Sequence, residues 1–254
     1  MPDVKLSVIV ITRNGEAVIR RCLESVAWAD EIVVLDSGST DGTVEICRGL
    51  GVKLYETPDW PGHGPQKNRA LDRAGGEWVL SLDHDEWVTP ELRAEIERTL
   101  KAPGDKAAYA MPRSSSFCGR HMRHSGWWPD YLSRLFRRGK ARFSEDHTHD
   151  RIIVEGAIGR LENHLMHEAI SDLDQMIVKM NGYSSTSAAM LARRGRRASL
   201  ATALLHGWWA FTRTYFLRLG FLDGREGFML AVANAEGSYY RYLKLMLLSD
   251  KTPR

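Results

Sequence analysis

The chain has 254 residues, of which 43% are hydrophobic and 26% charged. That composition excludes disorder and fibrous repeats, and the length suits one large domain, or a domain of about 150–200 residues with a smaller appendage. Thirty-five Lys and Arg face 32 Asp and Glu, a formal +3, so charge is informative only where it clusters.

The start, MPDVKLSVIV, reads as a first strand and not as a signal peptide. Leu6–Ile11 is a short β-branched run that ends in the turn Thr12-Arg13-Asn14-Gly15. Residues 16–27 then carry helical spacing through Val18, Ile19, Cys22, Leu23 and Val26. Ile32–Leu35 is a second buried-strand run, closed by Asp36 and the turn-rich residues 37–42. A short helix over 43–50, a strand over Val52–Tyr55, and a helix from the Pro/Gly-rich loop 58–65 to about residue 74 follow. The fourth strand, Trp78–Leu82, ends on Asp83-His84-Asp85-Glu86. Thr89, Pro90 and Glu91 supply a capping hydroxyl, a first-turn proline and an acid at the positive dipole end, and so open a further helix.

Residues 104–167 are less regular, with strands expected at Tyr109–Phe117 and Ile152–Val154. From about residue 170 the spacing of Leu173, Met176, Ile177, Met180 and Tyr183 is helical. The expected organisation is a mixed strand–helix domain over 1–175 and a helical C-terminal region over 176–254. No run of 18 uncharged apolar residues offers a spanning helix. Cys22, Cys47 and Cys118 lack CxxC spacing, which argues against a disulfide framework and for a reducing cytosol.

Strand–helix alternation with short loops predicts an α/β fold with a parallel sheet flanked by helices. Ligands of such sheets bind beyond the carboxyl ends of the strands, where Thr12-Arg13-Asn14, Asp36-Ser37 and Asp83-His84-Asp85 should converge. Two carboxylates two residues apart can share a hard divalent cation that grips phosphate oxygens; the plain alternative is a solvated turn. Asp36 could accept from a base or ribose, or simply cap the turn that follows it.

In their order and separation, VIVITRNG (8–15), IVVLDSGSTDGT (32–43), PQKNRAL (65–71) and WVLSLDHDE (78–86) resemble the family-2 glycosyltransferases of the GT-A fold. That resemblance implies a nucleotide-sugar donor and a Mg²⁺ or Mn²⁺ cofactor. It places Thr12, Arg13 and Asn14 around the base and ribose, with Asp36 bonded to one of them and Ser37 supporting that loop. Lys67 would face the diphosphate or base, Asp83 the ribose and metal, and Asp85 the metal, with His167 as a supplementary ligand. A narrower likeness, through residues 133–156, the His164–His167 segment and GFLDGREGF (220–228), is to bacterial lipopolysaccharide inner-core β-1,4-glucosyltransferases. It implies transfer of glucose from UDP-glucose with inversion. Where such relatives carry valine-histidine-glutamate, this chain has Thr148-His149-Asp150. Asp150 is therefore the expected general base, with Asp146 and Glu145 as rivals.

Six of the nine histidines fall between residues 121 and 167, with HxH and HxxH spacings that could chelate zinc, but no thiolate accompanies them. Residues 113–142 hold eight basic side chains, Arg134 and Arg137 among them, against one acid. That excess suits a lipid-anchored anionic glycan as acceptor, with Trp127 and Trp128 available to stack on sugar rings. No nucleic-acid fold signature accompanies the cluster, so nucleic acid is not an expected partner. Residues 175–222 contain no acid but seven basic residues among interfacial aromatics, the pattern of a helix lying on a membrane surface. The expected location is cytoplasmic, peripheral on the inner face of the cell membrane. Other readings are a glycosyltransferase for another surface polysaccharide and a non-catalytic nucleotide-sugar-binding module.

Overall fold

The computed structural model describes residues 5–145 and 151–250. The first hundred residues form β1 (Leu6–Thr12), α1 (Ile19–Ser25), β2 (Glu31–Asp36), α2 (Thr43–Gly49), β3 (Lys53–Glu56), α3 (His63–Leu71), β4 (Trp78–Asp83), β5 (Glu86–Val88) and α4 (Pro90–Lys101). Next come β6 (Ala108–Phe117), β7 (Arg120–His121), β8 (Asp130–Arg137), β9 (Ala141–Phe143), β10 (Ile152–Val154), β11 (Ile158–Arg160) and β12 (Leu165–Ile170). The chain ends in α5 (Leu173–Arg193), α6 (Leu200–Thr212) and α7 (Gly224–Asp250), with a π-helical turn Arg213–Leu217 and a 3₁₀ turn Gly220–Asp223 between the last two.

Two compact units result, one of residues up to Arg113 with Asp130–His167, the other of Ser114–Pro129 with residues from Glu168 on. The sequence predicts a single boundary near 175; the structure groups 114–129 with the C-terminal helices. In the first unit the sheet runs β3-β2-β1-β4-β8-β6-β12-β5. It is parallel across β3, β2, β1 and β4, and antiparallel where β8 joins β4 and β6.

β1 is buried along its whole length because both faces of the sheet are covered. Val8 and Val10 pack with Ile19 and Leu23 of α1 and Leu92 and Ile96 of α4. Ile9 and Ile11 point the other way, among Ala70 and Leu71 of α3, Phe136 and Phe143. Burying each such aliphatic side chain contributes about 1.5–3 kcal/mol. α4 starts as its sequence dictates, with the Thr89 hydroxyl accepting the Leu92 amide at 3.2 Å and proline in the first turn. α1 starts later than its periodicity suggests, because the Gly15 carbonyl first takes the amides of Val18 and Ile19 in a turn.

In the second unit Asp172 caps α5, and Ser199 and Thr202 form a capping box that opens α6. Phe117, Met122 and Leu230 form a small core, with Trp127 and Met176 packed against it. Buried Asp223 accepts the amides of Arg123 (3.0 Å) and His124 (2.9 Å) and the Ser125 hydroxyl (3.0 Å). A single carboxylate thus fixes the loop leading to Trp127. No helix among the described residues is long and apolar enough to cross a membrane.

Candidate active site

The β1–β2 and β1–β4 registers pair Thr12 with Asp36 and Ile11 with Asp83. Three parallel strands therefore end side by side, and the acids expected to share an edge do share it. Beyond β2, the Asp36 carboxylate accepts the amides of Gly38 and Ser39, both at 2.9 Å, and the Ser39 hydroxyl. Gly38 has φ +79°, a conformation that glycine adopts without strain. Asp36 is buried, and most of its acceptor capacity holds its own loop. Of the two roles open to it, turn capping is thus the one it visibly fills.

The loops after β1 and β2 are knitted together. Asn14 donates its amide N–H to the Ser39 hydroxyl at 2.8 Å and accepts the Thr40 amide at 2.9 Å, and the Ser37 amide donates to the Thr12 carbonyl at 2.9 Å. Buried Ser37 accepts a further bond from Gln66 at 2.9 Å. Arg13 is exposed beside them. The Thr12 hydroxyl is buried and has no hydrogen-bond partner. A Cβ on Gly15 would come within 2.9 Å of that hydroxyl and 3.2 Å of the His84 ring, so glycine keeps this corner open.

At the end of β4, Asp83 meets Lys67 at 2.8 Å on one oxygen and Arg134 on the other. The Arg134 nitrogen also reaches fully buried Glu86, at 2.6 Å, and Glu86 in turn accepts the Asp83 amide at 3.0 Å. Arg113 adds a contact to Glu86 at 3.3 Å and pairs with Asp130 at 2.8 Å. Burial pushes the Asp83 carboxyl up, but the adjacent Arg134 and Lys67 charges outweigh it and hold it well below the usual carboxylate range. For Arg134, burial disfavours the charge, yet Asp83 and Glu86 more than reverse that and raise its pKa. Asp83 is thus a fixed anion whose charge is largely met from within the protein.

Asp85 differs. Burial raises its pKa, but a hydrogen bond from His167 and that ring's charge bring it below the ordinary value. The two side chains stand 3.5 Å apart because β12 pairs with β5 in a register that sets His167 opposite Glu86. Among the described residues no three His, Cys, Asp or Glu side chains form a ready-made metal cage. An oxygen donor from Asp85 beside a nitrogen donor from His167 nevertheless fits Mg²⁺ or Mn²⁺, which take few protein ligands and complete their shell with water and phosphate.

α3 serves the site through three consecutive buried residues that diverge by about 100° each. Gln66 reaches Ser37, Lys67 reaches Asp83, and Asn68 bonds the Phe143 carbonyl and amide, both at 2.9 Å. Phe143 pairs with Ile152 across β9 and β10, and its ring lies 5.5 Å from the Lys67 ammonium. Asp146 and Asp150, the two expected base candidates, lie outside the described residues; Glu145 is the last one described before them.

Of the expected acceptor residues, Arg134 and Arg137 lie in the first unit. Arg134 is buried under Asp83 and Glu86 and presents no free guanidinium to an acceptor. Arg137 pairs with Glu77 at 2.6 Å and lies over the Trp78 ring at the opposite end of β4. Trp127 and Trp128 belong to the second unit. So do His121 and His124, which bond to Ser114 and Asp223.

The family model of glycosyl transferase family 2 matches residues 7–160. The chain belongs to that family. A relative from Rickettsia typhi, named a glycosyltransferase, is 32% identical over 263 residues, covering 98% of this chain and 89% of its own length. LpsC of Rhizobium meliloti, a lipopolysaccharide core biosynthesis glycosyltransferase, is 29% identical, covering 96% and 91%. Among solved structures, S. aureus TarS 1–349 in complex with UDP-GlcNAc superposes with TM-score 0.51 at 16% identity, covering 98% of this chain and 93% of that one. Mycobacterium tuberculosis glucosyl-3-phosphoglycerate synthase, in complex with Mn²⁺, UDP and its product, gives 0.50 at 20% identity, covering 77% and 81%. The fold of this family-2 enzyme is accordingly GT-A, and its activity is glycosyl transfer.

Proposed function

We propose that the protein transfers glucose from UDP-glucose, with inversion, to a heptose of a lipopolysaccharide inner core or a similar lipid-linked anionic glycan. The observation that carries this reading is the edge formed by Asp36, Asp83 and Asp85 in a family-2 fold, supported by a chain-wide likeness to LpsC.

In this reading the loops of Thr12–Asn14 and Asp36–Ser39, tied to each other, grip the nucleoside, and the unpartnered Thr12 hydroxyl turns to it. Asp83, held ionised by Lys67 and Arg134, accepts from the ribose. Asp85 and His167 would hold Mg²⁺ or Mn²⁺, which when bound neutralises the charge that develops on the departing diphosphate. Asp150, or Asp146 in its place, takes the proton from the acceptor hydroxyl as that oxygen attacks the anomeric carbon. Support for that assignment is the anchoring of Phe143 and Ile152, which flank the segment, to α3 beside Lys67.

A thermal-shift series of nucleotide sugars, with and without Mn²⁺, tests the donor. A ligand that binds only the native state stabilises it by about 2.7 kcal/mol at a hundredfold excess over Kd. UDP-glucose with Mn²⁺ is expected to raise the melting temperature most. A larger rise with a GDP- or CMP-sugar would overturn the choice of donor.

The same reading places the enzyme on the inner membrane surface. Arg193, Arg194, Arg196 and Arg197 are all exposed, and on the helix that follows Leu204, Leu205 and Trp208 are each more than half exposed. Cations next to an outward apolar face suit an anionic bilayer. The protein is expected to float with phosphatidylglycerol vesicles at low salt, and Trp208→Glu to stay at the bottom of the gradient. Absence of the parent protein from the vesicle fraction would remove the membrane assignment.

A further inference from the structure

Within the second unit a cavity of about 330 Å³ opens between α6, α7 and the loop 125–127. Arg213, Arg218 and Arg241 line it together with Trp127, Trp209 and His206, and no Asp or Glu does. Among the described residues none of these three arginines pairs with a carboxylate, and the Arg241 Nε is buried without any hydrogen-bond partner. Three guanidinium groups facing one small space repel each other, and an anion between them relieves that repulsion. Their planar forks match the paired oxygens of a phosphate or carboxylate.

The backbone is shaped around this convergence. A π-helical turn at Arg213–Leu217 interrupts the helix, and Leu219 adopts φ +54°, a conformation that costs a bulky residue energy. Gly126 has φ +83°, which favours glycine, and a Cβ there would fall 2.3 Å from the Arg218 guanidinium and displace it. Asp223 pins that loop from behind through Ser125, and the Ser125 amide bonds the Arg218 carbonyl at 2.8 Å. The His206 ring stacks on Tyr242 at 4.0 Å, leaving the indoles of Trp127 and Trp209 as apolar walls.

We infer that this cavity binds an anionic saccharide, its phosphate or carboxylate held by Arg213, Arg218 and Arg241 and its ring against Trp127 and Trp209. The volume lies at the lower end of ordinary ligand pockets and suits one sugar residue. Neutral lining would serve a neutral sugar equally well; three guanidiniums without a carboxylate partner among the described residues favour an anionic one. Only the further step, that this saccharide is part of the acceptor, rests on the proposed function.

Isothermal titration of the full chain with glucose 6-phosphate, glucose and inorganic phosphate tests the site. One glucose 6-phosphate should bind per chain, at least tenfold more tightly than glucose or phosphate. Arg213→Gln and Arg218→Gln, both exposed and therefore safe for folding, should each weaken it at least tenfold. Unsaturable binding, equal affinity in both variants, or phosphate bound as tightly as the sugar phosphate would overturn the inference. So would phosphatidylglycerol vesicles that engage these arginines while glucose 6-phosphate does not, since the anion would then be a lipid headgroup. A parallel titration with UDP and Mn²⁺ keeps the two readings apart. Failure there with glucose 6-phosphate binding intact removes the donor assignment and leaves the cavity's ligand standing.

Discussion

Asp85→Asn is expected to lower kcat by about 10²–10³-fold, the usual cost of losing one charge-stabilising group at a reacting centre. Folding should be almost unaffected. The two acids at this strand end are not equivalent, although they stand two residues apart. Asp83 is engaged by Lys67 and Arg134 on separate oxygens, so its charge is met inside the protein. Among the described residues Asp85 has His167 at 3.5 Å as its ion-pair partner and no lysine or arginine, and its side chain is about a quarter exposed. Of the two, Asp85 can give its charge to a cation without breaking a pair with lysine or arginine. Asparagine keeps the shape and one acceptor but not the charge. The expected kinetic signature is a fall in kcat with UDP release as the readout, together with a urea midpoint close to that of the parent. Turnover within threefold of the parent would show that Asp85 holds no charge-stabilising role.

The parallel half of the fold was legible because its signals are local. β1, β2 and β4 are unbroken apolar runs between turns, and Thr89-Pro90-Glu91 announces α4 through capping chemistry alone. Strand-end acids then follow from topology. β8 was not legible: its Arg134 reads as surface charge, and only the distant Asp83 and Glu86 make it a core residue. The run of basic residues over 113–142 looked like an acceptor patch for the same reason. Arg134 is spent on Asp83 and Glu86, Arg113 on Glu86 and Asp130, and Arg137 on Glu77. Sequence counts charges, whereas pairing decides which of them remain available. In sequence Glu86 is merely the tail of LDHDE, and Gln66 and Asn68 merely neighbours of Lys67. Their flanking positions on α3 were the available signal, since side chains adjacent on a helix must face different partners. Asp223 lies within GFLDGREGF, but its role depends on backbone amides about a hundred residues earlier in the chain.

Arg134→Met is expected to destabilise the first unit by about 3–5 kcal/mol, the range found when one member of a buried ion pair is removed. Methionine fills much of the volume of the arginine stem, so the loss measures charge and not a cavity. What remains among the described residues is a fully buried Glu86 carboxylate whose one cationic contact is Arg113 at 3.3 Å, and an Asp83 whose one cationic partner is Lys67. Desolvating Glu86 without its nearest cation dominates that cost. Arg134→Met combined with Glu86→Gln should therefore recover more than half of the loss, because glutamine still accepts the Asp83 amide through its carbonyl oxygen and carries no charge to desolvate. Urea denaturation of the two single variants and the double variant closes this cycle. A double variant no more stable than Arg134→Met alone would mean that packing of the arginine stem, and not its bridge between Asp83 and Glu86, holds the end of β4 in place. In that event the fixed anion assigned to Asp83 loses its physical basis, while the separate assignment of Asp85 is untouched. A recovered double variant that still binds UDP weakly would have the opposite meaning: the stability of the strand end is restored by removing both charges, but the orientation of Asp83 toward the nucleotide requires Arg134 itself.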